Sequence, residues 1–207
     1  MYKIWKFLFD EIVAVASFVL LLPLFLVVGI FIKLSSKGPV LYSQTRLGKD
    51  AKPFEMYKFR TMYVEDDQIY AQDFVKDLID GKYGEVGREP LQKLSNDPRI
   101  TPFGKFLRMT AIDELPQIAN VIKGDMSLIG PRPTLPYEYT KYKEWQKERF
   151  SVKPGITGLW QVTGRSSTTF DQMVEKDIEY ARHKSSFIDL EILLKTIYVV
   201  LSKKGAY

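Results

Sequence analysis

Residues 12 to 32 constrain this chain more than any other stretch. They read IVAVASFVLLLPLFLVVGIFI, 21 positions without a charge, set between Glu11 and Lys33. About 20 apolar residues suffice to cross a bilayer core, so length permits a transmembrane helix. A signal peptide fits poorly, because the apolar part is too long and no A-x-A site follows. Two details oppose a simple span. Pro23 divides the run into 11 residues before it and 9 after, and proline removes a helix hydrogen bond and bends the axis. Eleven residues rise roughly 16 Å, about half of a ~30 Å hydrocarbon core. Lys3 and Lys6 precede the run, and Lys33 and Lys37 follow it, so the charge rule favours neither end as the outer one. The residues suit a helix that enters one leaflet, bends near Pro23 and returns. They also suit a kinked single pass, since prolines are tolerated in spans.

The other residues dilute this segment to an ordinary average. Over 207 residues the chain is 45% hydrophobic and 27% charged, with a mean hydropathy of −0.14. That is enough chain for a sizeable core. Cysteine is absent, which excludes disulfides, zinc fingers, iron–sulfur clusters and thiol nucleophiles and suits a reducing compartment. The one histidine, His183, lies on a polar helix end and reads as a surface residue. Any metal must then be held by oxygen ligands. Thirty Lys and Arg against 25 Asp and Glu leave a net +5, which points to an anionic partner: nucleic acid, phosphorylated small molecules or an anionic membrane.

After the break at Gly38-Pro39, Val40–Arg46 and Phe54–Phe59 read as two strands of a hairpin. Apolar spacing predicts a helix over Asp66–Ile79, then a loop to residue 100. Thr101-Pro102 starts another helix. A further one opens near Asp113-Glu114 and stops at Gly124. Capping boxes at Thr169…Gln172 and Ser186…Asp189 predict two C-terminal helices, to about Lys184 and Lys203. Residues 136–150 interleave Tyr137, Tyr139, Tyr142, Trp145 and Phe150 with Lys141, Lys143, Lys147 and Arg149. This mixture predicts an amphipathic helix at the headgroup layer.

Asp113 and Glu114 could simply serve a helix start, where acidic residues are favoured. Their surroundings suggest more. Arg108 lies five residues earlier, and Arg132 follows between Pro131 and Pro133, which fix the backbone that presents its guanidinium. Lys58 and Arg60 alternate and so share a strand face. Four cations around two carboxylates are what phosphoryl transfer needs. In Lys153–Arg165, three glycines allow close backbone approach to a ligand, and Trp160, Gln161 and Arg165 could stack on, bond to and charge-pair with a nucleotide. Neither a Walker A motif nor a Rossmann fingerprint occurs. A basic nucleic-acid-binding protein on a single-pass anchor and a membrane-surface scaffold are the non-enzymatic alternatives.

The apolar segment with Pro23, KFRTM (58–62), DPRITPFGKFLR (97–108), DELPQ (113–117), SLIGPRP (127–133), KPGITGLWQVTGR (153–165) and the ending after Asp189 together resemble the monotopic phosphoglycosyl transferases among bacterial sugar transferases. The resemblance runs over nearly the whole chain, in family order. It implies a helix-rich α+β fold: a re-entrant membrane hairpin over 1–37, with Leu22-Pro23 where the family commonly has Ser-Pro, then a catalytic domain over 38–207. In that domain a small β-hairpin and interfacial helices would surround a cationic site. It further implies transfer of a sugar 1-phosphate from a UDP-sugar to polyprenol phosphate, with release of UMP. By resemblance Asp113 is the nucleophile and Glu114 the Mg²⁺ ligand. Lys58, Arg60, Arg108 and Arg132 match basic site positions, and Gln161, Arg165, Trp160 and Pro131 match substrate-binding ones. Expected partners are the two substrates and anionic lipids, without nucleic acid, with a homodimer allowed. The expected place is the cytoplasmic face of the bacterial inner membrane. Trp-Gln-Val-Thr-Gly-Arg leans towards UDP-galactose or UDP-glucose, and the chain matches the catalytic core of larger members.

Overall fold

A computed structural model of the chain describes residues 2–64, 97, 99–164 and 168–202. The helix expected over Asp66–Ile79, and Arg165, lie outside them. The fold is helix-rich α+β. Its first element, α1 (Tyr2–Ser35), is a single helix that contains Pro23, so the turn expected there does not divide it into two. A proline removes one hydrogen bond, and packing on both sides of Pro23 holds the helix on course. Before it, Ala14, Phe18 and Leu21 meet Met56, Ile118, Val121 and Met126. After it, Leu24, Phe25, Val28 and Ile32 meet Phe59 and Leu107. These positions recur every three or four residues, the spacing of one helix face. The opposite face leaves Ile12, Val19, Leu20, Leu26, Ile30 and Leu34 exposed.

Two strands, β1 (Leu41–Leu47) and β2 (Pro53–Phe59), form the expected antiparallel hairpin, with Leu41 opposite Phe59 and Tyr42 opposite Lys58. Next in the description is α2 (Pro102–Met109), with proline in its first turn and the Thr101 hydroxyl accepting from the Gly104 amide at 2.9 Å. Ala111 then takes a left-handed conformation (φ 56°) and opens a 3-10 turn, Ile112–Gln117, which continues into α3 (Ile118–Ile122). The single helix expected from Asp113 is thus 3-10 in its first half. Pro116 lacks the amide that would close an α turn there. The helix stops at Gly124, whose φ is +84°, as its sequence position suggests.

A two-stranded parallel sheet joins β3 (Ser127–Ile129) to β4 (Gly155–Thr157). It explains the glycines of 153–164 differently from the ligand-cradle reading. A Cβ on Gly155 would lie 2.1 Å from the Gly130 amide nitrogen, and one on Gly158 would lie 2.2 Å from the Gly130 carbonyl. These glycines bring two backbones together.

Residues 136–150 do not form the expected interfacial helix. They fold into a short helix, α4 (Pro136–Tyr139), and a 3-10 stretch, Glu144–Ser151. Two of their aromatics turn inward, Tyr142 and Phe150, buried with Leu47 and packed by Tyr139 and Phe170, while Trp145 stays exposed. Apolar rings gain more from this core than from a half-wet surface. Arg149 is buried in the same region and pairs with buried Asp177.

The chain closes with α5 (Leu159–Thr163), α6 (Phe170–His183) and α7 (Ser186–Ser202). Thr169 and Gln172 make the expected capping box. The box expected at Ser186…Asp189 is replaced. Ser185 accepts from the Ile188 amide, while buried Asp189 accepts from Tyr180 (2.7 Å) and Tyr2 (2.9 Å). His183 is exposed.

Candidate active site

The site forms where β2 meets the 3-10 turn. Asn120, wholly buried in α3, accepts from the Tyr57 amide at 3.0 Å and donates to the Glu55 carbonyl at 2.7 Å. This clip fixes the turn against the strand, so that the Lys58 ammonium donates to Glu114 Oε1 at 2.6 Å. Asp113, 8% exposed, sits beside that pair. Burial raises its carboxyl to about 6, Glu114 adding to the effect while Lys58 and Arg108 oppose it. Burial also acts upward on Glu114. There the Lys58 ion pair, with Arg132 and Arg46 behind it, prevails and holds the carboxyl below the usual range. Two adjacent carboxylates therefore differ in proton affinity because one has a cation of its own and the other does not.

Arg108 enters from the end of α2 and donates through Nε to the Thr61 hydroxyl at 2.9 Å. Arg132 is exposed between two buried prolines, its carbonyl held by Arg149 at 3.0 Å. Pro131 carries no side-chain donor; its carbonyl accepts from the Gly155 amide at 2.9 Å. Asp113 does not cap a helix, because Ala111 occupies the N-cap position and no side chain caps the turn. The pair therefore lies in the first turn, where acidic residues are favoured, without capping it.

Other expected residues go elsewhere. Arg60 turns away from Lys58 and donates to the Lys37 carbonyl (2.7 Å), the Ser36 carbonyl (2.7 Å) and the Ser36 hydroxyl (3.0 Å). It holds the end of α1. Strand alternation does not govern it, since β2 ends at Phe59. Trp160 is 9% exposed and donates its indole N–H to Thr168 at 2.7 Å, so it packs within the domain and offers no open face for stacking. Gln161 donates to the Ile156 carbonyl at 3.2 Å.

A family profile described as "Bacterial sugar transferase" matches residues 1–203. The chain belongs to the bacterial sugar transferase family. Among its relatives, the galactosyl transferase CpsE of Streptococcus agalactiae is 48% identical over 170 residues, covering 82% of this chain and 36% of that protein. The exopolysaccharide production protein ExoY of Rhizobium meliloti is 38% identical over 199 residues, 96% of this chain and 86% of the relative. The UDP-glucose:undecaprenyl-phosphate glucose-1-phosphate transferase of Escherichia coli is 38% identical over 207 residues, 96% and 40% respectively. The chain spans about two fifths or less of the length of the first relatives it matches.

Sequence reasoning about this family member missed two residues. Arg46 is 9% exposed. It donates to the Gln44 side chain at 2.7 and 3.1 Å and to the Pro133 carbonyl at 3.1 Å. Burial, then the nearby Arg132, lower its guanidinium to about 10. Its pairing with the proline carbonyl after Arg132 makes it part of the same cationic wall. The alternation of Gln44 and Arg46 on one strand face was the available signal. Asn120 was the other omission, since a polar residue between the apolar Ile118 and Val121 reads as a solvent-facing position. Among the described residues no group of three or more His, Cys, Asp or Glu gathers to hold a metal. Mg²⁺ usually takes one or two carboxylates and completes its shell with water and substrate phosphates. Asp113 and Glu114 fit that demand.

Proposed function

We propose that the chain transfers a hexose 1-phosphate from a UDP-hexose to a polyprenol phosphate, releasing UMP and starting assembly of a glycoconjugate. The observation that carries the reading is the buried Asp113 beside the Lys58–Glu114 pair, with Arg108 acting on Asp113 and Arg132 on Glu114, in a chain matched by the family over 1–203. The relatives' names, a galactosyl transferase and a UDP-glucose:undecaprenyl-phosphate transferase, favour galactose or glucose.

In the proposed sequence, an Asp113 carboxylate oxygen attacks the phosphorus that bears the sugar. The bond from that phosphorus to the bridging oxygen breaks, and UMP leaves. An oxygen of polyprenol phosphate then attacks the same phosphorus and frees Asp113. Lys58, Arg108, Arg132 and Arg46 offset the charge of the diphosphate and of the transition state. Mg²⁺, held by Glu114 with Asp113 adjacent, would neutralise the diphosphate and stabilise the leaving phosphate. Arg165 would meet the nucleotide.

The membrane reading is one-sided. Helix α1 contains a segment, Ile4–Ser35, long and apolar enough to cross a bilayer. Both its halves nevertheless pack on the catalytic domain, and a polar domain cannot follow a helix through hydrocarbon. We read α1 as lying within the cytoplasmic leaflet of the inner membrane with both ends on the cytoplasmic side. Helix α7 contributes exposed Phe187, Leu190, Leu194 and Ile197.

The test is incubation with Mg²⁺ and a panel of UDP-sugars, first without acceptor. Peptide mass spectrometry should find a phosphohexose on Asp113, discharged when polyprenol phosphate is added. UMP release that requires acceptor, with no adduct at any time, would refute the covalent route. Absence of turnover with every UDP-sugar would refute the reaction.

A further inference from the structure

Pro131 and Pro133 contribute no backbone N–H, so residues 131–133 offer one amide and three carbonyls. All four are held from other segments. The Pro131 carbonyl accepts from the Gly155 amide at 2.9 Å, and the Pro133 carbonyl accepts from Arg46 at 3.1 Å. The Arg132 carbonyl accepts from Arg149 at 3.0 Å. The Arg132 amide lies against the Asp177 carboxylate and acts on it as a hydrogen-bond donor. Backbone groups away from water mostly find backbone partners. Here an ion pair serves both polar groups of Arg132.

That pair is deeply placed. Arg149 is 3% exposed and Asp177 1%, the first in the 3-10 stretch Glu144–Ser151 and the second in α6. The guanidinium forks: Nη2 reaches both Asp177 and the Arg132 carbonyl, and Nη1 reaches the Tyr142 hydroxyl. Taking two charges out of water is costly, and apolar residues of similar volume often serve a core as well. An apolar pair, however, cannot hold a carbonyl and an amide. The Arg132 side chain itself is exposed, and its charge acts on Glu114 on one side and Arg46 on the other. The buried pair thus fixes the base of a side chain whose tip faces the site.

We propose that Arg149 and Asp177 are positioning residues, which clamp the backbone of Arg132 so that its guanidinium is aimed at the diphosphate arriving beside Glu114. The inference rests on the reaction proposed above and adds two residues that act on it through Arg132.

The test is a mutant cycle on the full chain. Arg149→Met with Asp177→Leu removes the grip and keeps an apolar filling, so cooperative thermal unfolding should persist. With Arg132 present, kcat/KM for UDP-hexose should fall about a hundredfold, the order expected for a ~1 Å misplacement. In an Arg132→Ala background the same two changes should cost less than about twofold, because nothing is left to aim. Arg149→Lys keeps a cation facing Asp177 but loses the fork. It should lower kcat/KM by less than the double change, again only where Arg132 is present, and it carries the test if the double variant does not fold. Exchange of the Arg132 amide gives a readout independent of the reaction. In a chain labelled with 15N-arginine, its NMR signal is identified by its absence in Arg132→Lys. It should be protected in the unaltered chain and exchange about tenfold faster or more in the clamp variants.

Equal losses with and without Arg132 would overturn the proposal and reduce the pair to a packing role. So would an unchanged kcat/KM in Arg149→Lys, or an Arg132 amide that exchanges freely in the unaltered chain. A protected amide in a chain that turns over no UDP-sugar would refute the reaction and leave the clamp in place.

Discussion

Asp113 is a carboxyl that the fold makes expensive to ionise and then surrounds with cations. Its displacement from 3.8 to about 6 means that the folded chain holds a proton there which the unfolded chain has already lost. Stability from this group therefore falls as pH rises from about 4 to about 6, and at pH 7 the full penalty, ~3 kcal/mol, is present. Asp113→Asn should abolish adduct formation and turnover while raising thermal stability at pH 7 by up to that amount, as scanning calorimetry would show. In the metal-free protein the Asp113 carboxyl should titrate at about 6, followed by carboxyl NMR with Asp113→Asn as the reference. Titration at about 4 would contradict the burial argument. The same scale explains what could be read in advance. Asp113, Glu114, Lys58, Arg108 and Arg132 announce themselves by charge and flanking prolines. Arg46 does not, because its importance comes from the Pro133 carbonyl, 87 residues away.

At the scale of elements, local chemistry set most boundaries. The hairpin, the Thr101 and Thr169 caps and the Gly124 stop all fall within a residue or so of where their sequences put them. Elements failed where a distant contact overruled a local preference. The aromatic-lysine stretch 136–150 gave up its helix to bury Tyr142 and Phe150, and Asp189 abandoned a cap for Tyr180 and Tyr2. Two predictions belong here. Gly130→Ala places a methyl 2.4 Å from the Lys153 carbonyl and 2.8 Å from the Gly155 amide, both backbone, so β3 and β4 must part. Overpacking of this kind costs ~1–3 kcal/mol, measurable by thermal unfolding. Arg60→Ala removes three hydrogen bonds from the end of α1 and should destabilise by ~3 kcal/mol. Arg60→Lys should recover only part of that, since an ammonium cannot fork across two carbonyls.

For the whole molecule, the proposed one-sided placement raises the question of how a helix apolar enough to cross a bilayer would belong to a domain that stays on one side. The answer lies in α1 packing along its length: Asp10 accepts from Ser127 at 2.6 Å near one end, and Ile32 is buried near the other. Cysteines placed at Ile4 and Lys37, one at a time, should both resist an impermeant thiol reagent applied outside spheroplasts and both react after lysis. Labelling of either from outside would contradict the one-sided arrangement.

The sequence by itself determined the apolar run, the exclusion of thiol and histidine-cage chemistry, the hairpin and the caps, because these depend on residue type or on neighbours a few positions apart. It also supplied the residues of the proposed phosphoryl-transfer site. Only the tertiary structure decided which cations share that site and which serve the scaffold. Lys58 and Arg60 are two positions apart, yet one meets Glu114 across 56 residues of chain and the other closes α1. Trp160 and the paired glycines were likewise assigned to packing. Such choices follow from which backbones and carbonyls arrive nearby when distant segments pack, and no local pattern encodes them.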